Sequence, residues 1–203
     1  MKKVIAIAAA LMLVGTTAFA QNLGAGYVQS TKTDGSSSVA ANGFYLGFGY
    51  SAPIVSGISL NPGIYYEFLT NSNAGGIGPI SYSGKTTEHY VNVPLHLSFA
   101  YSFAPTFKFF VYGGPAASVG IASKTVATGG IAGIGSTTST TDNYADNSNY
   151  NRFDIMAGVG GGVEVMKKLR LTVGYDWGLL DRDNRDNYTL KRNRLTAGAA
   201  FIF

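Results

Sequence analysis

Apolar and polar side chains alternate along much of the chain, and the alternation is strongest in its last ten residues. One face of segment 194–203 is Leu195, Ala197, Ala199, Phe201 and Phe203, while the other begins with Arg194 and Thr196 and continues with smaller residues until Ile202. A period of two residues indicates a β-strand. A strand with one fully apolar face is typical of a barrel whose outer surface meets lipid. We therefore predict that this segment is a membrane-spanning strand.

Eight segments of the chain show this period. They cover residues 23–29, 43–52, 58–69, 87–103, 107–119, 152–165, 169–180 and 194–203. The connections alternate between short ones, at 53–57, 104–106 and 166–168, and long polar ones, at 30–42, 70–86, 120–151 and 181–190. Outer-membrane barrels have an even number of antiparallel strands, short periplasmic turns and longer external loops. The pattern therefore predicts an all-β fold, an eight-stranded antiparallel up-and-down transmembrane β-barrel.

The beginning of the chain resembles a secretory signal. Lys2 and Lys3 precede an apolar run at 4–14, and Ala18 and Ala20 place small residues at the positions that a signal peptidase recognises. The run is too short for a membrane-spanning helix, which needs about 18 apolar residues. We expect residues 1–20 to be a signal peptide cleaved between Ala20 and Gln21, and residues 21–203 to form the outer-membrane β-barrel domain.

Composition and charge restrict the classes of partner. Hydrophobic residues make up 46% of the chain, Cys is absent and the formal net charge is +4. Without Cys, the domain must be held together by strand hydrogen bonds and packing rather than by disulfides. Removing Lys2 and Lys3 leaves a charge of +2, which is too weak to indicate nucleic-acid binding. We expect outer-membrane lipid as the main partner and no cofactor.

The polar phase of the predicted strands carries charged side chains that would point into the lumen. The residues of this predicted lumen polar network are Glu67, His96, Asp154, Glu164, Arg170, Asp176 and Arg194. Eight strands enclose an interior just wide enough to be filled by side chains. Charges buried there should pair across the lumen, since an unpaired buried charge is costly. The network predicts either a salt-bridged plug or a narrow gated path for ions or small solutes.

The two histidines of the chain, His89 and His96, are candidate catalytic residues. His96 and Ser98 lie on one face of a predicted strand, an arrangement that a lipid-modifying enzyme could use with a nearby carboxylate. Both face the predicted lumen, whereas chemistry on lipid needs an outward-facing pair. His89 follows Glu88 near the external rim, but no neighbouring Ser or paired Asp completes a hydrolytic site there. We therefore expect no enzymatic activity and assign no catalytic residue.

The connection 120–151 contains a segment of low complexity. Residues 123–151 consist mainly of Gly, Ser, Thr, Asn and Ala, which predicts a mobile external loop. The loop is either solvated without a ligand or meets an external partner. Its residues Asp142, Asn143, Asp146 and Asn147 superficially resemble a calcium loop, but Gly and Glu are missing at the required offsets. We predict no metal site.

Aromatic residues form two groups along the predicted strands. Those near the short turns are Tyr101, Phe103, Phe107, Phe201 and Phe203, and those near the long loops are Tyr66, Phe68, Tyr175 and Trp177. Two aromatic belts bound the apolar band of a membrane barrel. Phe201 and Phe203 then lie in the periplasmic belt, and we predict that they are the insertion signal that the barrel-assembly machinery meets.

Three motifs carry a resemblance to a known family. The segments 90–95 (YVNVPL), 109–115 (FFVYGGP) and 174–179 (GYDWGL) are similar, in this order, to the small outer-membrane β-barrel domain of Bacteroidetes, whose members are described as porin family or PorT-like proteins. The resemblance implies an eight-stranded barrel like OmpA and OmpX in a bacterial outer membrane. It carries over no catalytic residue. The expected function is a non-enzymatic envelope or surface-interaction barrel, with a small-solute channel and a lipid-modifying enzyme as alternatives.

Overall fold

The computed structural model describes residues 21–35, 37–145, 150–185 and 188–203. The predicted signal peptide, 1–20, lies outside the described residues, so its cleavage between Ala20 and Gln21 stays a prediction. The described part of the chain forms ten strands in one sheet. They are β1 (Asn22–Thr33), β2 (Ser38–Gly49), β3 (Ala52–Val55), β4 (Ile58–Ile77), β5 (Ile80–Ala104), β6 (Phe107–Ile131), β7 (Gly135–Asp142), β8 (Phe153–Val165), β9 (Leu169–Gly178) and β10 (Lys191–Ile202).

Eight of these strands close into a ring. The order around it is β2, β1, β10, β9, β8, β6, β5 and β4, and the pairing of β2 with β4 completes the circle. Strands β1 and β10 pair antiparallel along their whole length, from Asn22 opposite Ile202 to Thr33 opposite Lys191. Closure leaves no unpaired sheet edge in the barrel wall. The predicted all-β, eight-stranded up-and-down barrel is confirmed.

The two ends of the barrel differ in their connections. At one end, which we call the turn end, tight turns join successive strands, and Gly57, Met166 and Lys167 there have φ angles of 78°, 55° and 58°. At the opposite loop end, the strands are joined by longer segments or continue well beyond the ring. The four connections predicted to be long therefore all lie at the loop end, but most of 30–42 and 70–86 belongs to strands that are joined there by short turns.

The strands extend further at the loop end than the sequence predicts. Strand β5 begins at Ile80 instead of residue 87, and β6 continues to Ile131 instead of 119. The predicted mobile loop 123–151 is wrong over most of its length, because residues 123–131 belong to β6 and residues 135–142 form β7. Beyond the membrane both faces of a strand meet water, so the apolar alternation stops while the strand hydrogen bonds continue. We call residues 71–77, 80–86, 125–131 and 135–141 the external sheet.

A smaller correction applies at the turn end. The connection 53–57, predicted to be a plain turn, begins with the short strand β3, which pairs with the start of β4. The register shifts between Pro53 and Val55. Pro cannot donate a strand hydrogen bond, which accounts for an irregularity at this point. β3 lies outside the ring and does not change the strand number of the barrel.

The outward face of the ring is apolar and exposed. Val93, Leu97, Val111 and Val173 are between 47% and 61% exposed, although they lie in the middle of their strands. Exposed apolar side chains at this density are expected only on a surface that meets lipid or a partner. In the described part of the chain, no helix is long and apolar enough to cross a membrane.

The inward face is filled by tyrosine rings that lie against glycines. A Cβ atom at Gly160 would come within 2.3 Å of Cζ of Tyr112, and one at Gly47 within 2.6 Å of Cδ1 of Tyr65. Tyr45 occupies the lumen in the same way. The Gly residues in the inward phase of the strands therefore provide the space in which these rings pack.

Candidate functional site

The centre of the lumen holds two acids and two arginines, which we call the central cluster: Glu67, Asp176, Arg192 and Arg194. Arg192 Nη2 donates a hydrogen bond of 2.6 Å to Glu67, and Arg194 donates to the other Glu67 oxygen. Arg194 Nη2 also lies 2.8 Å from Asp176 Oδ2. All four side chains are buried. Each charge is thereby compensated inside the barrel.

Arg192 connects the central cluster to the layer above it. Its side chain is fully buried and donates to the hydroxyls of Ser30 and Ser118 at 2.8 and 2.9 Å. Its guanidinium lies 3.8 Å from the centroid of the Tyr90 ring. A guanidinium over an aromatic face is favourable when it is desolvated. Arg192 therefore blocks the middle of the lumen while all its donor nitrogens are engaged.

A second arginine closes the loop end. Arg182, in the β9–β10 connection, is fully buried and donates to the hydroxyls of Tyr90 and Tyr144 at 3.0 and 2.9 Å. It also donates to the carbonyl oxygen of Asn151 at 3.0 Å. Burial raises the pKa of the Tyr144 hydroxyl, which accepts this hydrogen bond from Arg182. The connection that was predicted to be long and polar thus sends one side chain back into the barrel.

A third group lies beside Arg182. Lys32 forms an ion pair with Glu88, which is 2% exposed. The hydroxyls of Tyr90 and Ser123 each donate to the same carboxylate at 3.2 Å. These contacts connect β1, β5 and β6 across the upper lumen. Together with Arg182 they make the loop end a continuous polar plug.

The turn end has its own ion pairs. Lys108 Nζ lies 2.8 Å from Glu164, and Arg170 Nη2 lies 3.0 Å from the other oxygen of the same carboxylate. The Arg170 guanidinium also lies 4.8 Å from the centroid of the Phe110 ring. This group is more accessible than the central cluster, since the Lys108 side chain is 35% exposed. It covers only the β6, β8 and β9 side of the opening.

Two members of the predicted lumen polar network are not in ion pairs. The structure brings Glu67, Asp176 and Arg194 together at the centre, and Glu164 and Arg170 at the turn end. The remaining two are His96, whose ring stacks on Tyr112 at a centroid distance of 4.9 Å, and Asp154. Within the described residues, His96 Nε2 lacks a hydrogen-bond partner, and the buried Asp154 carboxylate has no side-chain hydrogen-bond partner.

The sequence prediction missed several lumen charges. Arg192 shares the phase of Arg194, but it was missed because the last strand was predicted to begin at residue 194. In the structure this strand begins at Lys191. The same alternation, extended upward along the first strand, would have found Lys32. Glu88 already lies in the predicted strand 87–103, in the same phase as His96, and was left out of the network. Arg182 carries no such signal because it lies outside any regular strand. Where the sequence has no period, it does not say which way a side chain points.

The two candidate catalytic histidines have other roles in the structure. Ser98, which shares the lumen-facing phase of His96, accepts a hydrogen bond of 2.7 Å from Asn61 Nδ2. His89 lies on the outward face, where its Nδ1 is 2.5 Å from the Tyr66 hydroxyl and its ring meets Phe68 edge to face. Both arrangements suit packing of aromatic and polar side chains. Neither brings a histidine, a hydroxyl and a carboxylate into one hydrogen-bonded chain.

The acidic segment of the β7–β8 connection is used for local contacts. Asp142 accepts a hydrogen bond from the Tyr144 backbone at 3.0 Å. Asn143 Nδ2 donates to the hydroxyls of Ser123 and Thr125 at 2.9 and 3.0 Å. Asp146 and Asn147 lie outside the described residues. Among the residues that are described, no group of three or more His, Asp or Glu side chains could hold a metal ion.

The predicted insertion signal lies at the turn end. Phe201 and Phe203 point outward, are 49% and 73% exposed, and contact each other with ring centroids 5.6 Å apart. The Phe203 amide donates to the Gln21 carbonyl at 2.9 Å, which extends the seam between the first and last strands. The structure thus places both rings on the lipid-facing surface beside the closing seam.

Comparison with solved structures supports the barrel fold. The chain is similar to Neisserial surface protein A, with 14% identity, 90% of this chain and 96% of that chain covered and a TM-score of 0.51. It is also similar to Ail, the attachment invasion locus protein of Yersinia pestis, with 13% identity, 92% and 100% covered and a TM-score of 0.41.

The outer membrane enzyme PagL is a further similar structure, with 10% identity, 87% and 99% covered and a TM-score of 0.44. A shared barrel fold does not by itself decide whether a protein is an enzyme. No curated protein matches the chain. The model of the outer membrane protein β-barrel domain matches residues 15–184. The chain therefore belongs to the outer membrane protein β-barrel domain family.

Proposed function

We propose that this protein is a non-enzymatic integral outer-membrane barrel, closed by its lumen charges, that presents the external sheet to a partner outside the cell. The turn end then faces the periplasm and the loop end faces outward. The external sheet is the observation that carries the proposal. Four strands project beyond the ring as a hydrogen-bonded unit, where solvated loops would have been sufficient to connect the barrel.

The composition of the external sheet supports an interaction role. Segments 71–84 and 125–141 contain no charged residue. At the two hairpin tips, Ile77 and Ile134 are 84% and 82% exposed. Exposed apolar side chains that project from an uncharged surface mark interaction sites more often than solvated loops do. The partner is a macromolecule outside the cell, reached through the segment 123–151 and its neighbouring hairpin.

Shortening one hairpin tests this role. Residues 126–140 are deleted and 125 is joined to 141 by Asn-Gly, because Thr125 and Thr141 are directly paired. We expect a cross-linked partner on intact cells expressing the full chain and its loss with the shortened chain. Lys168→Ala, at the exposed turn end, is the control and should retain the partner. The same cross-linked species with the shortened chain would refute the proposal.

A narrow channel is the second candidate function. It is favoured by a cavity of about 140 Å³ that reaches from the turn end to Glu67, Asp176 and Arg194. Above that cavity, Arg192 and Arg182 fill the lumen. We expect no stepwise conductance from the purified protein in planar bilayers. Regular openings would favour the channel over the closed barrel.

The enzymatic alternative receives a direct test. We expect His96→Ala and Ser98→Ala to leave the mass spectrum of lipid A unchanged in cells that express the protein. Both side chains face the lumen, where a lipid acyl chain has no access. A changed acylation pattern that depends on either residue would establish a lipid-modifying activity instead.

The route to the membrane is also part of the proposal. We propose that residues 1–20 direct export and are removed between Ala20 and Gln21, and that the barrel-assembly machinery inserts the domain by recognising Phe201 and Phe203. N-terminal sequencing of the outer-membrane form should begin at Gln21. The resemblance to the Bacteroidetes porin-family barrels supports this route, and the surface partner itself is not implied by that resemblance.

A further inference from the structure

The periplasmic half of the lumen is only partly filled by protein. A cavity of about 140 Å³ lies below the central cluster, with Tyr45, Tyr65 and Tyr112 among its walls. Glu67, Asp176 and Arg194 border its upper end. The volume is close to that of an engineered cavity that accommodates benzene, a molecule of six heavy atoms. The space is therefore large enough for a small solute as well as for water.

Polar atoms without a partner surround this cavity. Asn92 is 1% exposed, and in the described structure neither atom of its side-chain amide has a hydrogen-bond partner. The same is true of Asn61 Oδ1, His96 Nε2 and Arg170 Nε, and all four residues line the cavity. Buried polar atoms are nearly always hydrogen-bonded in folded proteins. These atoms therefore indicate that a polar molecule completes the site.

The chemistry of these atoms restricts the ligand. Asn61 Oδ1 and Asn92 Oδ1 accept hydrogen bonds, whereas Asn92 Nδ2 and Arg170 Nε donate them. The charges that line the cavity are already compensated, Arg194 by Glu67 and Asp176 and Arg170 by Glu164. The charged side chains that line the cavity are two carboxylates and two guanidinium groups, so the lining itself offers an ionic ligand no excess counter-charge. The additional positive charge of Lys108 lies outside the lining. Hydroxyl groups both donate and accept, and the tyrosine walls can pack against the carbon atoms between them.

The route of entry follows from the position of the cavity. Asn22, Gly49 and Ser98 line it near the turn end, while the central cluster and Arg192 separate it from the loop end. Only a solute on the periplasmic side has a short path into it. We propose that this cavity is a binding site for a small uncharged polyol, of about six heavy atoms, that enters from the periplasm. The site is separate from the external sheet and goes beyond the surface role.

Binding of glycerol to the folded, detergent-solubilised barrel tests the proposal. Glycerol-free protein is titrated with glycerol and followed by saturation-transfer difference NMR. We expect a saturable signal for the unmodified chain and at least a tenfold weaker affinity for Asn92→Leu, which removes the buried donor and acceptor at similar volume. Asn73→Leu, at an exposed position of the external sheet, is the matched control and should bind as the unmodified chain does.

The test separates the ligand from water and from a folding defect. Heat-modifiable gel mobility shows whether each variant forms a barrel, and Asn61→Leu replaces Asn92→Leu if the latter does not fold. A signal that does not saturate, or one that is equal in the cavity variant and the control, means that ordered water alone fills the cavity and overturns the proposal. The variant with the shortened hairpin should bind glycerol normally, so failure of the surface role leaves this result intact.

Discussion

The central cluster predicts a specific pattern of destabilisation. Arg192→Met removes one charge at similar length and leaves Glu67 paired with Arg194 alone. It also removes the donors to Ser30 and Ser118. Breaking one partner of a buried ion pair costs about 3–5 kcal/mol, because the remaining charge stays buried. We expect the free energy of unfolding to fall by an amount at the lower end of that range, since Glu67 keeps Arg194 as an ion-pair partner.

Removing Glu67, the acid that both arginines share, should destabilise the barrel more than Arg192→Met does. Glu67→Gln removes the acid that accepts from both Arg192 and Arg194 and leaves Asp176 as the one acid of the central cluster, so we expect a cost at the upper end of about 3–5 kcal/mol. The double variant Glu67→Gln with Arg192→Met should be less destabilised than the sum of the single variants, with a coupling of about 0.5–3 kcal/mol. Lys108→Met, at the accessible turn end, should cost no more than about 1 kcal/mol.

The assay is urea unfolding of the barrel in lipid vesicles. Trp177 is the single Trp of the chain and is 45% exposed on the outward face, so its fluorescence reports whether the wall is embedded in lipid. Two results would refute the reasoning. One is additive behaviour of Glu67→Gln and Arg192→Met, and the other is a cost for Arg192→Met no greater than that of Lys108→Met.

Three further predictions concern packing, insertion and pH. Gly160→Ala places a Cβ atom 2.3 Å from a lumen tyrosine ring, so the free energy of unfolding in urea should fall by about 1–3 kcal/mol. The control Gly129→Ala, whose Cβ atom would have no heavy atom within 4 Å, should leave the free energy of unfolding almost unchanged. Deletion of Phe203 should impair insertion but not export, and normal heat-modifiable mobility of the deletant would contradict this. Backbone hydrogen bonds, first of all the one from Leu190, lower the pKa of Asp181. Protection of the amides in its loop from hydrogen exchange should therefore persist below about pH 4, the usual pKa of a carboxyl group, and disappear only as the pH falls through the lowered pKa. Loss of this protection already near pH 5 would contradict the prediction.

The barrel wall was predictable because each position there faces one of two different environments. Phe99 and Val111 meet lipid, whereas neighbours in the opposite phase meet the lumen, and this contrast produces the period of two. The same contrast identified Asp176 and Arg194 as inward charges. It also predicted the strand number, because each membrane-spanning strand shows the period and can be counted. A barrel in lipid cannot leave an edge open, so the eight strands must close on one another.

The external sheet could not be found in this way. Its residues meet water on both faces, so Thr128 and Thr138 pair across β6 and β7 without any apolar alternation. Gly and Ser at this density are typical of flexible linkers in sequence, and the paired backbone overrides that tendency. The buried position of Arg182 was hidden for a different reason. It depends on Tyr90 and Tyr144, which are distant in sequence and meet it only in the closed barrel.

The two ends of the lumen support two separable functions. At the loop end Arg182 and Arg192 fill the space with arginines, tyrosines and their hydrogen-bonded partners, so a contact made by the external sheet has no open path to the periplasm. At the turn end the cavity is bordered by Asn92 and His96, and in the described part of the chain no side-chain hydrogen bond or ring contact joins either of them to the external sheet. Distant sites without shared partners act nearly additively on stability. Changes to the external sheet should therefore alter surface contacts and leave binding in the cavity unchanged. Asn92→Leu should weaken binding in the cavity and leave the surface contacts unchanged.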